Sequence, residues 1–178
     1  MSRPTAVFPG TFDPITVGHV SIVLRALPLF ERIIIGMGVN NSKKTMFTTE
    51  QRINWIKNTF KDTPQVEVIA FEGLTVDLCK QVGAAFLLRG LRNSTDHGFE
   101  RSIALMNRQL ARVETMLHAL GTEHAHISST IVHQCSPIRP MFPRWSPWTL
   151  PEHMMRNLLI AMLACTCTAW SQPFTMPC

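Results

Sequence analysis

Short apolar runs alternate with amphipathic stretches along the first 120 residues, and the alternation predicts strand, helix, strand, helix. Ala6 to Phe8 is too short for a helix and is stopped by Pro9 and Gly10, so it reads as a buried strand. Thr16 then N-caps a helix whose apolar face is Val20, Val23, Leu24 and Leu27. Arg32 to Val39 is a β-branched run bounded by Asn40 and Asn41, as expected of a central parallel strand. Thr48 and Gln51 form a capping box that opens a helix with Ile53, Ile56 and Phe60 on one face and Lys57 and Lys61 on its solvated side. Val66–Phe71 is a third strand, 74–82 a helix, 84–88 a fourth strand, 96–110 a helix with Ile103, Met106 and Leu110 inward, and 113–117 a fifth strand. Ser128 is expected to cap a further helix.

This order predicts an α/β fold, a doubly wound parallel five-stranded sheet, in which ligands bind outside the carboxyl ends of the strands. The pattern breaks after Val132. Pro137, Pro140, Pro143, Pro147 and Pro151 exclude helix and central strand, and an apolar segment, 154–170, follows a second capping box at Thr149 and Glu152. The chain therefore divides into residues 1–132 and an atypical tail, 133–178, too short on its apolar side to span a bilayer.

Composition changes the picture little. The 178 residues fit one ordinary domain, 46% of them hydrophobic. The net charge of +5 is compatible with nucleic-acid binding, but it is spread along the chain without the density of a basic arm, and an anionic small-molecule substrate explains it equally well. The N-terminus runs straight into the first strand, so no signal peptide and a cytoplasmic location are expected. In that compartment the five cysteines are expected as free thiols, and His118, His124, His126 and His133 match no metal-ligand spacing.

Candidate chemistry gathers at the strand ends. His19 falls at the third position of the first helix, where free N–H groups and the helix dipole favour a phosphate. Thr16-Val17-Gly18-His19 matches the T/H-x-G-H signature of a nucleotidyltransferase superfamily. With Phe8 to Pro14, Ser42-Lys43-Lys44, Leu88 to Arg92, Ala104 to Arg108 and Ile127 to Thr130, residues 4–132 resemble the bacterial phosphopantetheine adenylyltransferases. The resemblance implies a Rossmann-like fold, and transfer of the adenylyl group of ATP to 4′-phosphopantetheine with a divalent metal, Mg2+, giving dephospho-coenzyme A and pyrophosphate. It implies a homo-oligomer, a hexamer in the relatives, and neither nucleic acid nor membrane as partner.

The resemblance also assigns residues. His19 would stabilise the transition state, with Lys43 and Thr11 beside it in catalysis. Thr11, Lys43, Thr75 and Arg89 would hold the acceptor. ATP would meet Thr11, Phe12, His19, Gly90, Leu91, Arg92 and Glu100, together with His124, Ala125, His126, Ile127, Ser128, Ser129 and Thr130. Asp13 and Asp77 are expected as turn and helix residues more than as ligands, and no metal ligand is assigned. The chain departs from the family at Asp96-His97-Gly98-Phe99-Glu100, at His118 and throughout the tail, which is either a shifted reading frame or a lineage-specific extension. A related transferase with another phosphorylated acceptor, and a nucleotide-binding protein inactivated by its altered C-terminus, are the alternatives.

Overall fold

The computed structural model describes residues 3–39, 44–121 and 127–131. The expectations for Lys43, for His124, Ala125 and His126, and for the tail from residue 133 lie outside the described residues.

Five strands form one parallel sheet: β1 (Thr5–Gly10), β2 (Arg32–Gly38), β3 (Val66–Phe71), β4 (Phe86–Leu91) and β5 (Glu114–Ala119), in the order β3-β2-β1-β4-β5. The connecting helices are α1 (Val17–Ala26), α2 (Thr49–Thr59), α3 (Thr75–Val82) and α4 (Ser94–Ala111). The doubly wound sheet expected from the alternation is present. β1 occupies the centre because Ala6 and Val7 are fully buried and Phe8 nearly so, leaving no edge to solvent. Ile33, Ile34 and Ile35 beside it are also fully buried, each worth about 2 kcal/mol of transfer free energy. Alternate residues of these strands feed two cores, one under α1 and α2 and one under α3.

Strand ends differ by a few residues from the sequence expectation. β1 continues through Pro9 and Gly10, paired with Gly36 and Met37 of β2. β4 and β5 start later and end later than expected, so Arg89 and Gly90 lie within β4, paired with Leu117 and His118.

α4 overturns one expectation. Met106 and Leu110 point outward, 61% and 60% exposed, as does Phe99, while the one buried residue of the helix is Glu100. The ion pair of Glu100 with Arg89 of β4 sets the helix rotation. Six and ten residues further on, a helix has turned about 120° and 80° away from that direction, so Met106 and Leu110 leave the core. Ala104, Asn107 and Ala111 share the Glu100 side and are only partly exposed.

Candidate active site

The strand order reverses between β1 and β4, and a cleft of about 450 Å3 opens at their carboxyl ends. That is the topological switch point where ligands of open α/β sheets bind, and the volume lies within the usual range for small-molecule sites.

The turn after β1 forms one wall. Phe12 adopts a left-handed backbone, φ 47°, and its ring is buried edge-on against Phe8 at 5.5 Å and His19 at 5.1 Å. A Cβ on Gly10 would lie 3.0 Å from that ring, so glycine makes the room. Asp13, 4% exposed, accepts the Met46 N–H at 2.7 Å and the Phe47 N–H at 3.0 Å, which fastens the approach to α2 onto the turn. It is a turn residue, as its sequence context suggests, while Asp77 pairs with Lys80 on the surface of α3.

α1 brings the histidine in. Thr16 and His19 form a reciprocal capping box in which histidine occupies the place usually taken by Glu or Gln. The Thr16 N–H donates to His19 Nδ1 at 3.0 Å, and Thr16 Oγ1 lies 2.9 Å from the same nitrogen. A nitrogen accepting a backbone N–H carries no proton, so Nε2 carries it and is the atom free to donate into the cleft. Burial, and then the charges of Arg92 and Arg89, lower the His19 pKa from 6.5 to about 4. At neutral pH the ring is an uncharged donor.

Arg89 and Arg92 face it from β4 and the loop that follows. Arg89 donates through Nε and Nη2 to Glu100 at 2.7 and 2.6 Å and through Nη1 to the Pro9 carbonyl at 3.2 Å. Three of its five N–H groups are thereby used, and two remain for an anion. Arg92 is more exposed and held by Asp96 at 3.3 Å. Gly90 serves packing: a Cβ there would overlap Ile22 Cδ1 of α1, so its lack of a side chain lets α1 press against β4.

The remaining wall is residues 127–130. Ser128 Oγ accepts the Ile131 N–H at 3.2 Å, the cap expected there, and Ser129 Oγ donates to the Pro14 carbonyl at 2.9 Å. Of the residues expected in the site, Thr11, Phe12, His19, Arg89, Gly90, Arg92, Glu100 and 127–130 line the cleft. Leu91 lies at the end of β4 and Thr75 opens α3, beside the exposed Leu74; neither lines it. Lys44, the neighbour of the expected Lys43, lines it together with Thr45, for which the sequence carries no signal.

Residues 7–135 match the cytidylyltransferase-like family model. The chain is 54% identical over 127 residues to the phosphopantetheine adenylyltransferase of Flavobacterium psychrophilum, covering 71% of this chain and 84% of that protein. It is 46% identical over 129 residues to the enzyme of the same name from Bacteroides thetaiotaomicron, covering 72% and 85%. The chain belongs to the phosphopantetheine adenylyltransferase family. Among solved structures, a bifunctional NMN adenylyltransferase/ADP ribose pyrophosphatase from Francisella tularensis superposes with a TM-score of 0.62 at 16% identity, over 92% of this chain and 50% of that one, and shows the shared fold. In this family member Glu100 with Arg89, and Thr16 with His19, form two hydrogen-bonded pairs that line the cleft.

The carboxylates that line the cleft, Asp13 and Glu100, both accept hydrogen bonds, and among the described residues no cluster of three His, Cys, Asp or Glu could hold a cation. No described helix is long and apolar enough to cross a membrane.

Proposed function

We propose that the chain transfers the adenylyl group of ATP to 4′-phosphopantetheine, releasing pyrophosphate and forming dephospho-coenzyme A. The observation that carries this reading is the neutral, oriented His19 at the start of α1, facing two arginines across a cleft at the switch point.

An oxygen of the acceptor phosphate attacks the α-phosphorus of ATP in line with the bridging oxygen to the β-phosphate, and the α–β bond breaks as pyrophosphate leaves. No covalent intermediate on the protein is needed. The demand is charge stabilisation and alignment. His19 Nε2–H donates to an α-phosphate oxygen where negative charge grows, beside the first free N–H groups of α1. A neutral donor suits this step because it does not release a proton to the phosphates. Arg89, with two unused N–H groups, grips the acceptor phosphate, and Thr11 bonds it from the turn. Arg92 and Lys44 add positive charge over the ATP phosphates, and residues 127–130 close over the nucleotide.

Mg2+ enters this proposal as a companion of the ATP phosphates, which, with water, are its usual ligands. The protein acts in the cytoplasm and self-associates. The exposed apolar side chains of Phe99, Met106 and Leu110 on α4 support self-association.

A pyrophosphate-release assay with ATP and 4′-phosphopantetheine tests the reading. Turnover supports it. Turnover only with a different phosphorylated acceptor, or ATP binding without turnover, overturns it.

A further inference from the structure

The clasp between the turn after β1 and α2 contains a buried cation that makes no contact with the proposed substrates. Arg52, on the second turn of α2, is 2% exposed and lies outside the cleft lining. Four residues before Ile56, it sits on the helix face that packs inward, where an amphipathic pattern calls for an apolar side chain. A buried guanidinium is costly unless its donors are satisfied. Its Nη1 donates to the Thr11 carbonyl at 2.7 Å, its Nε to the Thr48 carbonyl at 3.4 Å and its Nη2 to Thr49 Oγ1 at 3.3 Å. The shortest bond is the one that leaves the helix and reaches the turn.

Asp13 makes the reciprocal attachment, receiving the Met46 and Phe47 N–H groups. Thr11 and Asp13 flank Phe12, whose φ of 47° is strained for an aromatic residue. Such a conformation is costly and persists only where its surroundings fix it. Both neighbours of the strained residue are tied to residues 46–52. Lys44 and Thr45, which face the cleft, immediately precede the clasped pair Met46 and Phe47, and Phe47 is itself anchored edge-on against Trp55 at 4.7 Å.

We propose that Arg52 is a positioning residue for adenylyl transfer: it holds the Thr11 carbonyl from beneath, fixing the phosphate-facing turn and the Lys44 segment as one unit. Only the turnover arm of the test rests on the adenylyl-transfer reading. Arg52 touches no substrate. Its guanidinium spans three acceptors in two chain segments, which a lysine ammonium on a flexible stem does not reproduce.

The test uses the full chain with Arg52→Lys and Arg52→Ala. Amide hydrogen exchange should speed up in peptides covering residues 9–15 and 44–48 and stay unchanged in 32–38. Turnover should fall by about tenfold to a hundredfold, with the KM for ATP changed by less than about threefold, as expected of a misplaced wall. Added guanidinium should restore part of the Arg52→Ala turnover and none of that lost in His19→Ala. Folded variants that turn over within about threefold of the native chain overturn the proposal. So does unchanged exchange in the turn, or exchange raised evenly throughout the sheet, which marks Arg52 as a general stabiliser. If the native chain releases no pyrophosphate, the adenylyl-transfer reading fails, and the exchange pattern still decides the role of Arg52.

Discussion

The Thr16 N–H donates to His19 Nδ1 across 3.0 Å, so the residue that starts α1 also sets the tautomer of the ring that faces the cleft. His19→Ala removes the Nε2–H donor and the ring edge that Phe12 packs against, while the sheet and the rest of the core keep their contacts. Turnover should fall by about a hundredfold or more, with a far-ultraviolet circular dichroism spectrum like that of the native chain. A loss smaller than about tenfold would assign the transition-state contact elsewhere.

The same ring fixes a dependence on pH. The folded pKa of about 4 lies below the ordinary value of 6.5, so between these limits the unfolded chain binds a proton at His19 and the folded chain does not. Stability from this site is complete above about pH 6.5 and is lost as pH falls towards about 4. His118 is also lowered, by burial and then by Arg25, and adds a loss of the same sign. Urea melts at pH 7 and pH 5 should therefore differ less in His19→Gln than in the native chain. Over pH 5 to 8, kcat should show no limb that His19→Gln removes.

Arg89 and Glu100 stabilise each other as well as shaping the cleft. Arg89→Ala leaves a nearly buried carboxylate without its partner and should cost roughly 1–3 kcal/mol. Calorimetry should show a larger loss for 4′-phosphopantetheine than for ATP, because the two remaining N–H groups of Arg89 are proposed to meet the acceptor. Equal losses for the two ligands would contradict that assignment.

Two glycines should respond oppositely to one added methyl. Gly90→Ala collides with Ile22, itself 2% exposed, and should destabilise by about 1–3 kcal/mol while shifting α1 and slowing turnover. Gly98 lies within α4 with nothing within 4 Å of an added Cβ. Gly98→Ala should stabilise by roughly 0.5–1 kcal/mol. Thermal melts of the two variants check both signs.

The sheet and most of the cleft were legible in the sequence because they depend on local signals. Apolar runs marked the strands, Thr16 marked the start of α1, and His19 followed at a fixed spacing. Contacts between distant segments left no such trace. Arg52 looks like a solvated helix residue until the Thr11 carbonyl is seen beside it, 41 positions earlier in the chain. The rotation of α4 was misjudged for the same reason: Leu110 and Met106 carry the apolar signal, but the Glu100–Arg89 pair decides which side faces the sheet. Gly90 lines the cleft as expected, but its second role, making room for Ile22 of α1, had no local signal. A preceding Thr three residues from His19 could have announced the capping box, had histidine been allowed the role usually given to Glu or Gln.

The bond from Ser129 Oγ to the Pro14 carbonyl joins residues 115 positions apart, and Arg89 reaches Pro9 across 80. Synthesis therefore completes the α1 segment long before residues 127–130, the last wall of the cleft, exist. Nascent chains that stop short of residue 127 lack that last wall and, on the proposed reading, should be retained on immobilised ATP less than the full chain. If the proposed reading holds, nucleotide capture reports synthesis of that last wall, and long-range closure of this kind makes the cleft slower to order than the local elements around it.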